Sequence, residues 1–177
     1  MTDIQSIKTR FKQLQEELNR KIAETKAEVA CEAQILISGL FEDFFSKQPD
    51  VYAIAWTQYT PHWMDGDECE FSVNDINLCL SKDSVAGSAY FDGDQDLIRA
   101  RSYYTGRGND PEEVARIDSK IDAIGGMDAY ERILSDFNSV KNAIGEIGNE
   151  YMEMLFGDHV SVCYTRDGVT VEEFDHD

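Results

Sequence analysis

An unbroken helical apolar pattern opens the chain and limits what can follow it. Ile4, Ile7, Phe11, Leu14 and Leu18 recur at intervals of 3, 4, 3 and 4, which is an a/d seam narrow enough for a coiled coil. Past Lys21 the seam loosens through Ile22, Ala23 and Val29. From Ala33 to Phe45 it broadens into Ile35, Leu36, Ile37, Leu40, Phe41, Phe44 and Phe45, the wide stripe of a helix buried in a globular core. Thr2 and Gln5 offer a capping box at the start, and Pro49 marks the stop. A helix over residues 3–46 would be about 66 Å long, whereas a compact domain of this length is about 31 Å across. Its first part, residues 1–30, must therefore project, break or pair with another helix. A homodimer through residues 4–18 is the expected pairing, with an intramolecular partner in residues 130–155 as the alternative.

The remainder alternates between strand and helix signals. Val51 to Tyr59 is rich in β-branched and aromatic residues, which suit a pleated, half-buried surface. Cys69, Phe71 and Val73 alternate with Glu68, Glu70 and Ser72, so a second strand is expected there. Pro61 ends the first strand near Thr60, and Met64-Asp65-Gly66-Asp67 supplies the turn. The apolar phase flips at Asn74-Asp75 before Ile76, Leu78 and Leu80, which predicts a bulge or bend. Asp110, Pro111, Glu112 and Glu113 form a helix start, with Gly125-Gly126 as its end. A further helix is expected from about Asp128 to Phe156, capped by Gly157. Val160, Val162 and Tyr164, then Asp167-Gly168 and Val169, Val171, read as a hairpin with a type I′ turn. Residues 81–109 carry the least regular pattern. The expected fold is a single α+β domain over residues 1–177, with an antiparallel sheet of about four strands in two hairpins packed by long helices.

The wording of residues 56–71, W-T-Q-Y-T-P-H-W-M-D-G-D-E-C-E-F, resembles a pattern in small uncharacterised proteins of tailed bacteriophages and some bacteria. In those proteins the second aromatic is often Phe and the residue before Asp-Gly-Asp often Asn, where this chain has Trp63 and Met64. The likeness spans sixteen of 177 residues. It implies a phage-like accessory protein and assigns no residue a chemical role. Read from the residues themselves, the stretch is a hairpin whose aromatic loop, with Tyr59, His62 and Trp63, suits binding.

Charge narrows the partner. The formal net charge is −19. Residues 1–30 carry six basic and five acidic side chains, while residues 31–100 carry three and thirteen. Such a chain repels nucleic acid and anionic membrane and attracts basic surfaces, including those that hold nucleic acid. The expected partner is a basic host or partner protein, met through Tyr59, His62, Trp63, Asp65, Asp67, Glu68 and Glu70, with inhibition of a nucleic-acid-handling host or defence system as the concrete form. The plain alternative is that the acid serves solubility. No secretory signal opens the chain, and the apolar patch at Ile35–Phe45 is interrupted by Ser38, Gly39, Glu42 and Asp43, so a cytoplasmic protein is expected, in the host cytoplasm if phage-encoded.

Chemistry finds less support. Asp92, Asp94 and Asp96 alternate as in calcium loops, but the Gly falls at the second place and Tyr103 stands where a bidentate Glu is needed, so no metal is assigned. Cys31, Cys69, Cys79 and Cys163 lack ligand spacing and read as small buried thiols in a reducing compartment. Thr105-Gly106-Arg107-Gly108 has no following Gly-Lys-Ser/Thr and is no Walker loop. The histidines His62, His159 and His176 accompany no nucleophile elbow. No cofactor is expected, and an enzyme is the weaker reading, with metal-dependent hydrolysis trailing. Arg99, Arg101 and Arg107 with Tyr103 and Tyr104 could grip phosphate and stack a base. A small nucleotide or phosphate ligand there is the alternative function.

Overall fold

The computed structural model describes residues 4–62, 68–85 and 93–174, and of Arg107 the backbone alone. Thr2, Trp63, Met64, Asp65, Gly66, Asp67, Asp92 and His176 lie outside the described residues. The chain divides into two units, 1–38 and 39–177.

The first unit is helical. Helix α1 runs from Ile4 to Lys47 and so continues into the second unit. Ile4, Phe11 and Leu18 of its seam are 70%, 68% and 57% exposed. Exposed i,i+4 ion pairs line the same stretch, among them Arg20–Glu24 and Glu17–Lys21.

The second unit is α+β. Strands β1 (Ala53–Tyr59), β2 (Ser72–Cys79), β3 (Val160–Thr165) and β4 (Gly168–Glu173) form one antiparallel sheet among the described residues, ordered β2-β1-β3-β4. Helix α2 spans Leu97–Tyr103 and runs into a π-helical turn at Tyr104–Gly108. Helices α3 (Pro111–Ala123), α4 (Met127–Ile147) and α5 (Asn149–Phe156) follow.

Local chemistry explains the boundaries. Asp110 Oδ1 accepts from the N–H groups of Glu112 and Glu113, and Pro111 occupies the first turn of α3, where its missing N–H costs nothing. Gly125 and Gly126 take positive φ at its end. The helix expected over residues 128–156 is instead two. Gly148 adopts φ +86, which breaks the helix between α4 and α5. The bulge expected near Asn74-Asp75 is present: Ala55 pairs with Asn77 but Thr57 with Asn74, leaving an extra residue on β2. The closing turn differs from the expected type I′. Thr165 pairs with Gly168, so Arg166 and Asp167 connect the strands, and the positive φ belongs to Gly168 alone. Glu68, Cys69 and Glu70 lie before β2, not in it, because β1 ends at Tyr59 and offers them no ladder partner beyond Ser72. Helix α2 interrupts the region that reads as irregular; at seven residues, with no side-chain cap, it leaves little periodic signal.

An aromatic core sits against β1 and β3. Phe41 stacks on Tyr164 at 3.9 Å and on Trp56 at 6.0 Å, and Phe156 meets Trp56 edge-on at 5.6 Å. Ile117, Ile121, Tyr130, Ile133, Phe137, Val140 and Ile144 bury the inner faces of α3 and α4. Strand β1 is buried on both faces. Its small residues Ala53 and Ala55 cluster with Cys79, with Val85 and Cys163 packed against them. The four cysteines are free. Cys79 is buried as expected, but Cys31 is exposed and Cys69 and Cys163 only half-buried.

The β2 edge of the sheet is closed by side chains. Asp94 is 1% exposed. Its Oδ2 accepts from Leu80 N–H and the Ser84 hydroxyl, both at 2.8 Å, and its Oδ1 from Lys120 Nζ at 2.6 Å. Gln95 Oε1 accepts from Leu78 N–H, and Gln95 Nε2 donates to Asn77 Oδ1. The N–H of Leu78 near the end of the edge strand, and that of Leu80 just past it, thus find acceptors without a further strand. Tyr130 holds the segment from below: its hydroxyl donates to the Asp94 carbonyl and accepts from Leu97 N–H. A Cβ at Gly93 would run into the amides of Gln95 and Asn77, so glycine is what lets this segment approach the strand.

Candidate functional site

The W-x-Q-Y-T-P-x-W stretch divides between core and surface. Trp56 and Gln58 are fully buried. Gln58 Oε1 accepts from Trp56 Nε1, while Gln58 Nε2 donates to the carbonyls of Met152 and Gly157. The glutamine therefore ties β1 to the end of α5, and its amide meets a structural demand. Tyr59, Thr60, Pro61 and His62 carry the chain out to the surface.

There the fold assembles a cluster that spacing does not reveal. Tyr59 stacks on His159 at 6.4 Å and packs on Phe174 at 5.5 Å. His62, which is exposed, stacks on His159 at 5.0 Å. Asp158 fixes the arrangement. Its Oδ1 accepts from Thr60 N–H at 2.7 Å and from His159 N–H at 2.8 Å, and its Oδ2 lies 3.7 Å from His159 Nε2. Burial alone would push the Asp158 carboxyl up, but hydrogen bonds from Thr60 and His159 and the nearby imidazole outweigh it and hold the group below its ordinary value. His159 takes φ +53 between Gly157 and β3, and its carbonyl accepts from Phe174 N–H.

Of the residues expected to meet a partner, the structure brings Tyr59 and His62 together. Glu68 and Glu70 are exposed in the irregular segment before β2, close in sequence to Ser72, which pairs with Tyr59. Their alternation is therefore not that of a strand face, and a regular row of charge at strand spacing does not form. His159, Asp158 and Phe174 join the cluster from 96 or more positions along the chain, beyond the reach of local pattern.

The arginine cluster is divided in its commitments. Arg101 grips Asp118 through Nε and Nη2; this pairing raises the guanidinium and lowers the carboxyl, first through the hydrogen bond and then through charge. Arg99 lies 3.5 Å from Asp96. Tyr103 meets Tyr104 edge-on at 5.3 Å. Gln95, Asp96, Ile98, Arg99, Ser102, Tyr103 and Gly106 line an open depression. Asp94 is spent on protein donors, and no cluster of metal-ligating side chains occurs among the described residues. No described helix is long and apolar enough to cross a membrane.

No protein-family model matches the chain, and neither the curated proteins nor the solved structures offer a match to it.

Proposed function

We propose that this chain is a non-enzymatic, phage-like accessory protein that binds a basic host or partner protein through acidic and aromatic surface. Support comes from the cluster in which exposed His62 and half-buried Tyr59 and His159 gather over buried Phe174, in a chain of net charge −19 whose Glu68 and Glu70 are exposed. Acid speeds encounter with a basic partner, and rings anchor the contact once formed. Covering a basic surface that normally holds nucleic acid would inhibit a nucleic-acid-handling host or defence system. The exposed α1 seam pairs two copies through residues 4–18, where near-neutral charge leaves self-association unopposed.

A pull-down from bacterial lysate identifies the partner, and salt-titrated kinetics test the surface. Binding should weaken steeply with salt. Reversal of Glu68 and Glu70 to Lys should slow association, and Tyr59→Ala should speed dissociation. Binding that ignores salt and all three substitutions overturns the proposal. Light scattering tests the dimer: Phe11→Glu with Leu14→Glu should dissociate it, and a monomeric wild type refutes it.

The depression at Arg99 and Tyr103 favours a second reading, a nucleotide or phosphate ligand. Such a ligand would raise the melting temperature, and Arg99→Ala would abolish the rise. A nucleotide panel that leaves the melting temperature unmoved removes this reading.

A further inference from the structure

An edge strand offers a row of unpaired N–H and C=O groups to any strand that can reach it, unless something blunts it. The β2 edge is blunted by Asp94 and Gln95. The β4 edge is not. Strand β4 is terminal in the sheet, and all six of its residues are exposed. Its register with β3 is regular over six pairs, without a bulge. It contains no proline and no lysine; its charged residues are Glu172 and Glu173, which oppose pairing with an acidic strand but not with a basic one. Among the described residues, no side chain reaches the rim of Val169 to Glu173. Six residues give a rim about 20 Å long, enough for a short strand to pair along it.

Charge selects the occupant. Glu172 and Glu173 point to opposite faces of the strand, and neither forms an ion pair among the described residues. Two copies of β4 laid side by side would gather four glutamates of two chains, each of net charge −19, along one short ribbon. An extended segment carrying Lys or Arg would meet those glutamates favourably on both faces. Just past the strand, Phe174, itself buried, packs on Tyr59, so β4 ends beside the aromatic cluster.

We infer that the outer rim of β4 receives an extended basic segment of a partner protein as a fifth strand of the sheet. The inference rests on the basic-partner proposal and adds its mode: main-chain pairing gives affinity, and Glu172 and Glu173 select basic side chains.

The test uses the full chain and a labelled eight-residue peptide of the repeat Lys-Lys-Val-Val, whose lysines fall on both faces of an extended strand. Fluorescence anisotropy measures affinity, and residue-resolved amide exchange measures pairing. At saturation, alternate amides of β4 should slow at least tenfold, and E172K with E173K should weaken binding at least tenfold. Peptide binding that slows no β4 amide, or that ignores the double reversal, overturns strand addition and leaves the basic-partner proposal standing. Absence of peptide binding at low salt overturns strand addition, while the basic-partner proposal is decided separately by the salt, Glu68/Glu70 and Tyr59 measurements. Protection of β4 amides in the free protein that grows with concentration would assign the rim to a second copy instead. Circular dichroism of the E172K/E173K variant confirms that its fold is retained, and the exchange measurement on the wild type stands without it.

Discussion

At β2 the sheet ends against a buried carboxylate, while at β4 it ends against six exposed residues. Both strands face the same demand, since each has one rim of backbone groups with no strand beside it. At β2 the segment around Asp94 and Gln95 substitutes for a missing strand, and Lys120, Ser84 and Tyr130 hold the substitute in place. Burying Asp94 is tolerable only because donors surround it. At β4 no comparable network occurs among the described residues, and the strand carries glutamates at its end. One edge is therefore closed by the chain's own side chains, and the other is the rim proposed to receive a partner.

The largest effect should come from breaking the closed edge. Asp94→Ala strands the Lys120 ammonium in a site where it is only 22% exposed and leaves Leu80 N–H and the Ser84 hydroxyl without their acceptor. Loss of one partner of a buried pair costs about 3–5 kcal/mol; with Lys120 still reaching some water, about 3 kcal/mol is expected in urea denaturation. A loss below about 1 kcal/mol, the scale of a single exposed hydrogen bond, would mean that the carboxylate does not hold this edge.

Next in size is Tyr130→Phe, which removes the donor to the Asp94 carbonyl and the acceptor of Leu97 N–H in a fully buried position. Unsatisfied buried groups cost about 1–3 kcal/mol. The variant also changes the response to pH. Burial, reinforced by the charges of Asp94 and Asp96 and opposed by Leu97 N–H, pushes the Tyr130 phenol from 10.0 up to about 12. The folded state thus keeps its proton where the unfolded chain has lost it. Stability from this group is complete below pH 10 and drains away between about 10 and 12. Alkaline melts of the wild type should show that decline, and Tyr130→Phe should flatten it. Equal slopes in the two proteins would place the alkaline loss elsewhere.

The two edges also differ in how far the sequence discloses them. Asp110-Pro111, Gly125-Gly126 and Gly157 are legible because a cap is settled within a few residues. The β2 bulge is legible because a phase flip at Asn74-Asp75 admits little else. Strand β4 shows itself through Val169, Val171 and a glycine turn, displaced by one residue. The closed edge stays hidden. Asp94 reads as one more acid in an irregular loop, because its partners Leu80 and Lys120 lie 14 and 26 residues away. The same limit governs the candidate site. Tyr59 and His62 stand out as rings beside a turn, whereas His159 and Phe174 reach them only through the pairing of β1 with β3. Glu68 and Glu70 mislead in the opposite sense, since they alternate where no neighbouring strand exists to use the alternation.

A smaller effect sharpens the contrast at β2. Gln95→Ala removes the acceptor of Leu78 N–H but leaves Asp94 in place. One such hydrogen bond contributes about 1 kcal/mol, and water can replace part of it at this half-buried position. The readout is exchange at the Leu78 amide, which should quicken while that of Leu80 stays slow. Joint quickening of both amides would show that the two side chains close the edge as one unit.

The smallest effect belongs to the open edge, where its size matters most. Val171 pairs with Val162 yet is 42% exposed, and among the described residues its outer side meets no strand. Val171→Thr keeps the β-branch that suits a strand and exchanges a methyl for a hydroxyl that can reach water. Surface substitutions of this kind fall within about 0.5 kcal/mol. A free rim therefore predicts a nearly unchanged urea midpoint, at low and at high protein concentration alike. A rim covered by a second copy predicts otherwise: the hydroxyl would then enter a closed interface, where an unpaired polar group costs about 1–3 kcal/mol, and the loss would appear mainly at concentrations where the pair forms. Chemical denaturation across a hundredfold range of protein concentration separates these outcomes. A concentration-dependent penalty at Val171 would make the two edges alike, both closed, one by its own side chains and the other by a neighbour.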